Sequence, residues 1–330
     1  NSATLFIPNL FVNQKELYRI ICKEDSAVIP VFAQSWWLDA VCDAVDDWQV
    51  ELALKGEQLI GAWPYLLKEK FGMLLLRNPR LTPYLGPLIF FPPDVKESNR
   101  DSYEYEVTEQ LFSALPAADM WRLSVWPDFK QVGLIKRGGV NIGVQQTFLL
   151  DLLQTEPVIF QNFKESLRRN IKASEGKISI ATEPEALADL FRFQESTLSQ
   201  KGVVQSYNIQ HLERLMSACL AHNSGTLWVA SEGEKIQAIV WNVWDENRSY
   251  YLMGGMNPDG DNYRAMSALL WHCIREAKKR GNKYFDFEGS MDGGVERFFR
   301  SFGGKRTLYL VLKRDELWLW KILKALRLRK

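Results

Sequence analysis

The chain has 330 residues, of which 46% are hydrophobic and 25% are charged, and these proportions are typical of a globular protein with enough apolar material for two domain cores. Its formal net charge of +1 at pH 7 excludes a strongly basic DNA-binding protein. The three histidines are widely separated and no CxxC pair occurs, so we expect no metal site, and we expect the four cysteines to be reduced, buried thiols.

The first half of the chain contains a series of strand and helix patterns that ends in a double-glycine stop and a last strand. Apolar periodicity and turn residues predict strands at 50–54, 58–67 and 71–77, a helix at 102–114, a strand at 120–126, a helix at 127–136, and a strand at 147–150. Gly138 and Gly139 end the second helix.

A basic amphipathic helix is predicted next, because charged and apolar residues each repeat every four positions. Lys164, Arg168 and Lys172 form the basic side, and Arg169 lies beside them. This side is either a solvated face or a contact for a polyanion, such as tRNA, a nucleotide-linked sugar or anionic lipid headgroups.

The second half of the chain repeats the series of the first. A strand is predicted at 178–181, a helix from a Thr182–Glu185 capping box to about Gln200, a helix at 208–221, strands at 226–231, 236–244 and 249–255, a helix ending at Gly281, a strand at 284–288, a helix at 293–302, and a strand at 307–313. Gly303 and Gly304 again precede the last strand.

This repetition predicts two similar domains of mixed α/β class, each a mostly antiparallel sheet flanked by helices. We place the first domain at residues 1–155 and the second at 156–314, followed by a C-terminal helix at 315–330.

The order of elements resembles that of the GNAT acyltransferases, and a tandem pair resembles the Fem-type peptidoglycan aminoacyltransferases. Local sequences that resemble these proteins are QSWWLDAV (34–41), TPYLGP (82–87), SLRRNIKASEGKISI (166–180), and KYFDFEGS with VERFFRSFGGK (283–305). The resemblance implies transfer of an acyl or aminoacyl group to an amine, without a tightly bound cofactor. Acyl-CoA is the co-substrate that it implies, with aminoacyl-tRNA as the alternative donor. A non-catalytic binding protein that keeps the fold is a third interpretation.

The catalytic candidates are two carboxylates of the 284–288 strand. Strand alternation places Tyr284, Asp286 and Glu288 on one face. In the family, the last strand of the preceding meander splays from this strand, and the acyl group lies in the gap. A carboxylate there could accept a proton from the attacking amine, and Asp286 matches the family's aspartate. Alternatively, Asp286 pairs with Arg297 or Arg300.

Donor binding is predicted where the meander ends and the next helix begins. The residues that we predict for it are Gly254, Gly255, Met256, Tyr263 and Arg264. The family's CoA-dependent enzymes carry a glycine-rich loop here, whose backbone N–H groups bind the pyrophosphate. Residues 257–264 contain one glycine and two acidic residues, which is a poor match, although Arg264 offsets part of the negative charge.

Basic residues around the second domain are candidates for binding the acceptor or a phosphate. The predicted set is Arg168, Arg169, Arg297, Arg300 and Lys305. Solvated helix faces are the alternative for each of them. The first domain lacks the acidic signature strand, so we expect it to be degenerate and to form the acceptor cleft.

The C-terminal segment from Leu317 to Lys330 alternates tryptophan and leucine with five basic residues. It is either a helix that docks on the first domain or a contact with a membrane surface. We expect a small-molecule or lipid-linked acceptor, a cell-envelope sugar or peptide precursor. No apolar run reaches the roughly 18 residues that span a bilayer, so we expect a cytoplasmic protein, peripheral at the inner membrane face if this segment binds lipid.

Overall fold

A computed structural model of the chain describes residues 13–24, 26, 28–42, 48–70, 72–203, 205–260, 264–289 and 292–315. The chain divides into two compact units. The first contains the described residues up to Gln145 and those from Tyr309 onward, and the second is Gln146–Leu308. The predicted helix at 315–330 lies outside the described residues, apart from its first residue.

The elements up to residue 151 are those of the first repeat. They are α1 (Gln14–Glu24), α2 (Ser35–Val41), β1 (Trp48–Lys55), β2 (Gln58–Lys70), β3 (Met73–Arg77), β4 (Leu88–Ile89), α3 (Glu97–Ala114), β5 (Met120–Ser124), α4 (Val132–Arg137) and β6 (Asn141–Asp151). β1, β2 and β3 form an antiparallel meander, β4 also pairs with β2, and β5 lies parallel to β3.

The elements of the second repeat follow in the predicted order, after a short first helix that was not predicted from the sequence. They are α5 (Glu156–Gln161), α6 (Glu165–Ser174), β7 (Ser179–Thr182), α7 (Leu187–Gln200), α8 (Ile209–Ala221), β8 (Gly225–Glu232), β9 (Lys235–Trp244), β10 (Arg248–Met256), α9 (Ala265–Arg280), β11 (Tyr284–Asp286), α10 (Gly293–Arg300) and β12 (Lys305–Asp315). In the second unit the strand order is β6-β11-β10-β9-β8-β7, in which β10 and β11 are parallel. The expected class, a mostly antiparallel mixed sheet flanked by helices, is confirmed.

Each repeat ends in a strand whose final residues belong to the compact unit that contains the other repeat. β6 pairs with β11 through residues 149–151, within the second unit. β12 pairs with β5 through residues 311–315, within the first unit. The chain passes from one compact unit to the other inside β6, after Gln145, and inside β12, after Leu308. The domain limits at 155 and 314 stay predictions.

Helix α9 forms the centre of the core of the second unit. Its apolar residues Met266, Leu269, Leu270, Cys273, Ile274 and Ala277 follow helical spacing and are buried, and the helix packs against β8, β9 and α6. Burying side chains of this size contributes roughly 1.5–3 kcal/mol each. Gly281, with φ of 90°, ends the helix in the left-handed conformation that glycine adopts without strain. The core of the first unit lies between its sheet and the helices α3 and α4.

Two of the predicted helix starts are wrong. Thr182 pairs with Trp228 as the last residue of β7, so it does not cap a helix; a 3₁₀ turn follows, and α7 begins at Leu187. In the first unit, the residues before Val132 form a turn in which the Phe129 N–H donates to the Trp126 carbonyl, so α4 is shorter than predicted.

The four cysteines, Cys22, Cys42, Cys219 and Cys273, are buried thiols that form no disulfide, as predicted. Burial raises the pKa of the Cys22 thiol to about 11, so this thiol is protonated at neutral pH. Among the helices that the structure describes, none has both the length and the apolarity to cross a bilayer.

Candidate functional site

The two parallel strands β10 and β11 separate soon after they meet. They pair only through residues 248–250 and 284–286, after which β10 continues along β9 to Met256. A β-bulge at Leu252, between Tyr251 and Met253, interrupts the pairing with β9 at this point. Bulges bend a strand and increase its twist, which here takes β10 away from β11. The expected splayed pair of strands is therefore confirmed.

The chain after β11 follows β6 instead of β10. The Phe287 N–H donates to the Phe148 carbonyl at 3.1 Å. Glu288 and Gly289 then both adopt left-handed backbone, with φ of 54° and 68°. A Cβ on Gly289 would overlap the carbonyl of Gln146, so only glycine fits there. The strand predicted at 284–288 thus ends at Asp286, and the expectation that Glu288 continues its face by alternation is wrong.

Asp286 is fully buried, and hydrogen bonds and an ion pair hold its carboxylate. It accepts hydrogen bonds from the Thr147 hydroxyl at 2.5 Å and from the backbone N–H of Glu288 at 2.8 Å. The guanidinium of Arg248 lies 3.5 Å from its other oxygen. A buried carboxylate with these partners fixes the turn at Glu288. The predicted alternative is corrected: the partner is Arg248, not Arg297 or Arg300.

Glu288 has the opposite environment to that of Asp286. Its Oε1 is buried and has no hydrogen-bond partner among the residues that the structure describes. Burial raises the pKa of this carboxyl well above its ordinary value, and the nearby charge of Asp286 raises it further. A buried carboxyl with a raised pKa and an acceptor oxygen without a partner among the described residues is suited to take a proton from a substrate.

Tyr251 lies beside Glu288 and was not predicted from the sequence. Burial raises the pKa of its hydroxyl, and the negative charge of Glu288 contributes. Its ring packs edge-on against Phe299 with centroids 5.3 Å apart. A Cβ on Gly254 would overlap the Tyr251 hydroxyl, so the two residues share one face of β10. In a regular strand, Tyr251 and Gly254, which are three positions apart, would lie on opposite faces. The extra residue of the bulge at Leu252 places them on the same face.

The glycines at the end of β10 admit neighbouring side chains of the same unit. A Cβ on Gly255 would lie 2.6 Å from the Cβ of Phe193, and the Gln194 amide donates to the Gly254 carbonyl. Met256 is 39% exposed. The glycines therefore have a packing role, and donor binding by these residues stays a prediction.

In the loop before α9, two backbone N–H groups form hydrogen bonds within the loop itself. The N–H groups of Asp259 and Gly260 donate to the side-chain and backbone oxygens of Asn257, both at 3.0 Å. These two amides are therefore not available to a pyrophosphate. Arg264 immediately precedes α9, and Tyr263 lies outside the described residues.

A cavity of about 320 Å³ opens at the first turn of α9. Its lining residues are Lys164, Ser166, Leu167, Asn170, Ser267, Gly294, Arg297, Phe298 and Ser301. In the described part of the chain, neither Lys164 nor Arg297 forms an ion pair. Two unpaired cations beside a helix N-terminus suit an anionic group. The structure thus brings Arg297 together with Lys164, which precedes α6.

The other predicted anion-binding residues lie elsewhere on the second unit. Arg168 donates to the Gln161 carbonyl at 3.1 Å. Exposed ion pairs join Arg169 to Glu165 at 3.9 Å and Arg300 to Glu296 at 3.5 Å. Lys305 begins β12 and is exposed. Their predicted role in binding stays untested by this geometry.

The sequence profile of the acetyltransferase (GNAT) domain family matches residues 160–300. A search of curated proteins gave no match. Among solved structures the chain is similar to FemX, with 12% identity, a TM-score of 0.57, and coverage of 80% of this chain and 88% of FemX. It is also similar to L-PGS from Bacillus licheniformis, with 11% identity, a TM-score of 0.53, and coverage of 96% and 98%.

A third similar structure is a tandem GNAT protein from the clavulanic acid biosynthesis pathway, with 10% identity, a TM-score of 0.50, and coverage of 88% of this chain and 95% of that one. At identities this low, the likeness concerns the fold alone. The matched domain contains β10, β11 and the splay between them. Residues 160–300 therefore match the acetyltransferase (GNAT) domain family, and the chain has the fold of tandem GNAT proteins.

Proposed function

We propose that the second unit transfers an acyl group from an acyl-CoA thioester to an amine in the splay between β10 and β11, with Glu288 as the proton acceptor. The observation that carries this proposal is the buried Oε1 of Glu288, which has no partner among the described residues. An unsatisfied buried acceptor is unfavourable in a finished fold. The N–H of a bound amine would supply the missing donor.

In this mechanism the amine nitrogen attacks the thioester carbonyl directly. The new C–N bond forms, the C–S bond breaks, and CoA leaves as a thiolate that takes a proton from solvent. The proton lost by the amine passes to the Glu288 carboxylate. Asp286 acts as a positioning residue, because it holds the backbone N–H of Glu288 at 2.8 Å. No covalent enzyme intermediate is required.

For the donor, we propose that Lys164 and Arg297 bind a phosphate of CoA at the first turn of α9. Support comes from their position around one cavity and from the absence of ion pairs to either residue in the described part of the chain. The Gly254 carbonyl accepts a hydrogen bond from Gln194, so the acyl arm would have to use other backbone groups of β10.

Aminoacyl-tRNA is a second candidate donor. It is favoured by the loop before α9, because the amides of Asp259 and Gly260 are occupied by Asn257. The basic side of α6, which includes Arg168 and Arg169, would then contact the RNA. Thermal unfolding with acetyl-CoA or with charged tRNA separates the two, because a ligand that binds the native state raises the midpoint.

For the acceptor, we propose an amine on a cell-envelope sugar or peptide precursor, or on a lipid, met at the cytoplasmic face of the membrane. The fold likeness to FemX and L-PGS and the basic, tryptophan-rich sequence after Leu317 support this proposal. Co-sedimentation with anionic and zwitterionic vesicles tests the membrane contact, which requires binding to the anionic vesicles.

Glu288→Gln tests the chemistry, with Glu213→Gln on the exposed face of α8 as the matched control. Release of free CoA from acetyl-CoA is followed with a panel of amino sugars and amino-acid amides as acceptors. Loss of a general base lowers the rate by roughly 10²–10⁴-fold. We expect that loss for Glu288→Gln and none for Glu213→Gln. Full activity of Glu288→Gln would exclude the proposed role, and the absence of turnover and of any donor-induced thermal shift would support a non-catalytic binding protein.

A further inference from the structure

The first unit contains its own pair of parallel strands that separate. β3 and β5 pair only through residues 75–77 and 120–122. β3 ends at Arg77, and β5 continues to Ser124 beside β12. β3 and β5 of the first repeat therefore pair and separate in the same way as β10 and β11 of the second repeat.

A cavity of about 660 Å³ lies at this separation, entirely within the first unit. Its lining residues include Arg77, Asn78, Arg122, Gln145, Tyr309 and Lys313. The volume is within the range of about 300–1,000 Å³ that is common for small-molecule sites.

The charge of the cavity has one sign. Arg77, Arg122 and Lys313 contribute three cations, and no aspartate or glutamate is among the lining residues. None of the three forms an ion pair within the part of the chain that the structure describes. Partial burial and the positive charges of Arg80 and Arg122 lower the pKa of Arg77. Uncompensated cations around one space repel each other, and a bound anion would relieve this repulsion.

A buried amide also lines the cavity. Asn78 is 9% exposed, and its amide nitrogen donates to the carbonyls of Thr82 at 3.3 Å and Ser124 at 3.0 Å. These two bonds fix the side chain, yet its Oδ1 is buried without a hydrogen-bond partner among the described residues. Beside it, the Tyr309 hydroxyl donates to Gln145 at 2.6 Å, which fixes the Gln145 amide.

We propose that this cavity is a binding site for a phosphate-bearing small molecule, whose phosphate contacts Arg77, Arg122 and Lys313. A hydroxyl or N–H of the same ligand donates to Oδ1 of Asn78. Arginine is the side chain best suited to bidentate contact with phosphate oxygens. The site lies in the first unit and does not depend on the catalytic assignment in the second.

Calorimetric titration of the full chain tests the site, with inorganic pyrophosphate and glucose 1-phosphate as probes. Titrations are repeated in an Arg297→Gln background, which removes anion binding beside α9. We expect each of Arg77→Gln and Arg122→Gln to weaken binding of both probes by roughly tenfold or more, because each removes a charge-assisted contact. Lys55→Gln, at the exposed end of β1, makes the same charge change in the same unit and should leave binding unchanged.

A second measurement uses the unmutated protein and so does not depend on how the variants fold. Phenylglyoxal modifies accessible arginines, and peptide mass spectrometry reads the extent at Arg77 and Arg122. We expect pyrophosphate to protect both residues and to leave Arg100 on α3 unprotected. Glucose 1-phosphate that binds more tightly than inorganic phosphate supports a ligand larger than the free anion. Equal affinity for Arg77→Gln, Arg122→Gln and Lys55→Gln, or no protection, would overturn the proposal.

Discussion

Asp286→Asn removes the negative charge from a fully buried carboxylate in the second unit. The residue is 0% exposed, and its partner Arg248 retains 13% of its side-chain exposure. The substitution removes the carboxylate charge beside the Arg248 guanidinium and places an amide group where Thr147 and the Glu288 N–H now donate. Both consequences are unfavourable in a buried environment.

The expected magnitude follows from this burial. Removing one partner of a buried ion pair destabilises a protein by roughly 3–5 kcal/mol, because a charge stays buried without compensation. A matched control is Asp189→Asn, since Asp189 pairs with Arg192 at 2.8 Å but the two side chains are 39% and 56% exposed. An exposed pair contributes about 0–1 kcal/mol, so the two identical substitutions should differ severalfold in effect.

Urea unfolding, followed by circular dichroism, measures the free energy of unfolding for each variant. A double-mutant cycle with Arg248→Met isolates the interaction, because the double variant removes both charges of the pair. We expect Asp286→Asn with Arg248→Met to be more stable than Asp286→Asn alone. If Asp286→Asn destabilises the protein no more than Asp189→Asn, the structural role given to Asp286 is refuted.

Three further predictions follow from the same region. Because burial raises the pKa of Glu288, the folded protein binds a proton that the unfolded chain has lost above about pH 4.5. The stability of the wild type should therefore fall as pH rises from about 4.5 toward the folded-state pKa. Urea midpoints at several pH values would test this, and Glu288→Gln should not show the fall. Gly289→Ala should destabilise the protein by about 1–3 kcal/mol or more and lower its thermal midpoint, because the added Cβ is strained at φ of 68° and overlaps Gln146. Gly293→Ala is the control, since no atom lies within 4 Å of its added Cβ, and it should lower the thermal midpoint much less. Gly255→Ala should lower the thermal midpoint, since overpacking against Phe193 costs about 1–3 kcal/mol, and an unchanged midpoint would contradict this packing.

The sequence predicts the elements whose information is local. The apolar stripe of α9 and its Gly281 stop have the expected positions, because helical spacing and a left-handed glycine are read from adjacent residues. The family resemblance predicts the splay of β10 from β11, and the structure shows that β3 and β5, which occupy the equivalent places in the first repeat, also separate.

What the sequence does not predict depends on partners far along the chain. Thr147 lies 139 positions from Asp286, and no local pattern joins them. The bulge at Leu252, which places Tyr251 beside Glu288, has no marker in its own residues. The first domain is expected to be degenerate because its predicted strand at 120–126 lacks a carboxylate, and the structure places Arg122 of this strand in the lining of a cavity.

The central claim is that Glu288 accepts the proton of the attacking amine in the splay between β10 and β11. The most direct measurement is the pH dependence of kcat/KM for acyl transfer from a defined thioester, in the wild type and in Glu288→Gln. The account predicts that the wild-type rate rises with pH through a group whose pKa is well above that of an ordinary carboxyl, and that this rise is absent in the variant. A profile of the same shape and height in both proteins would contradict it.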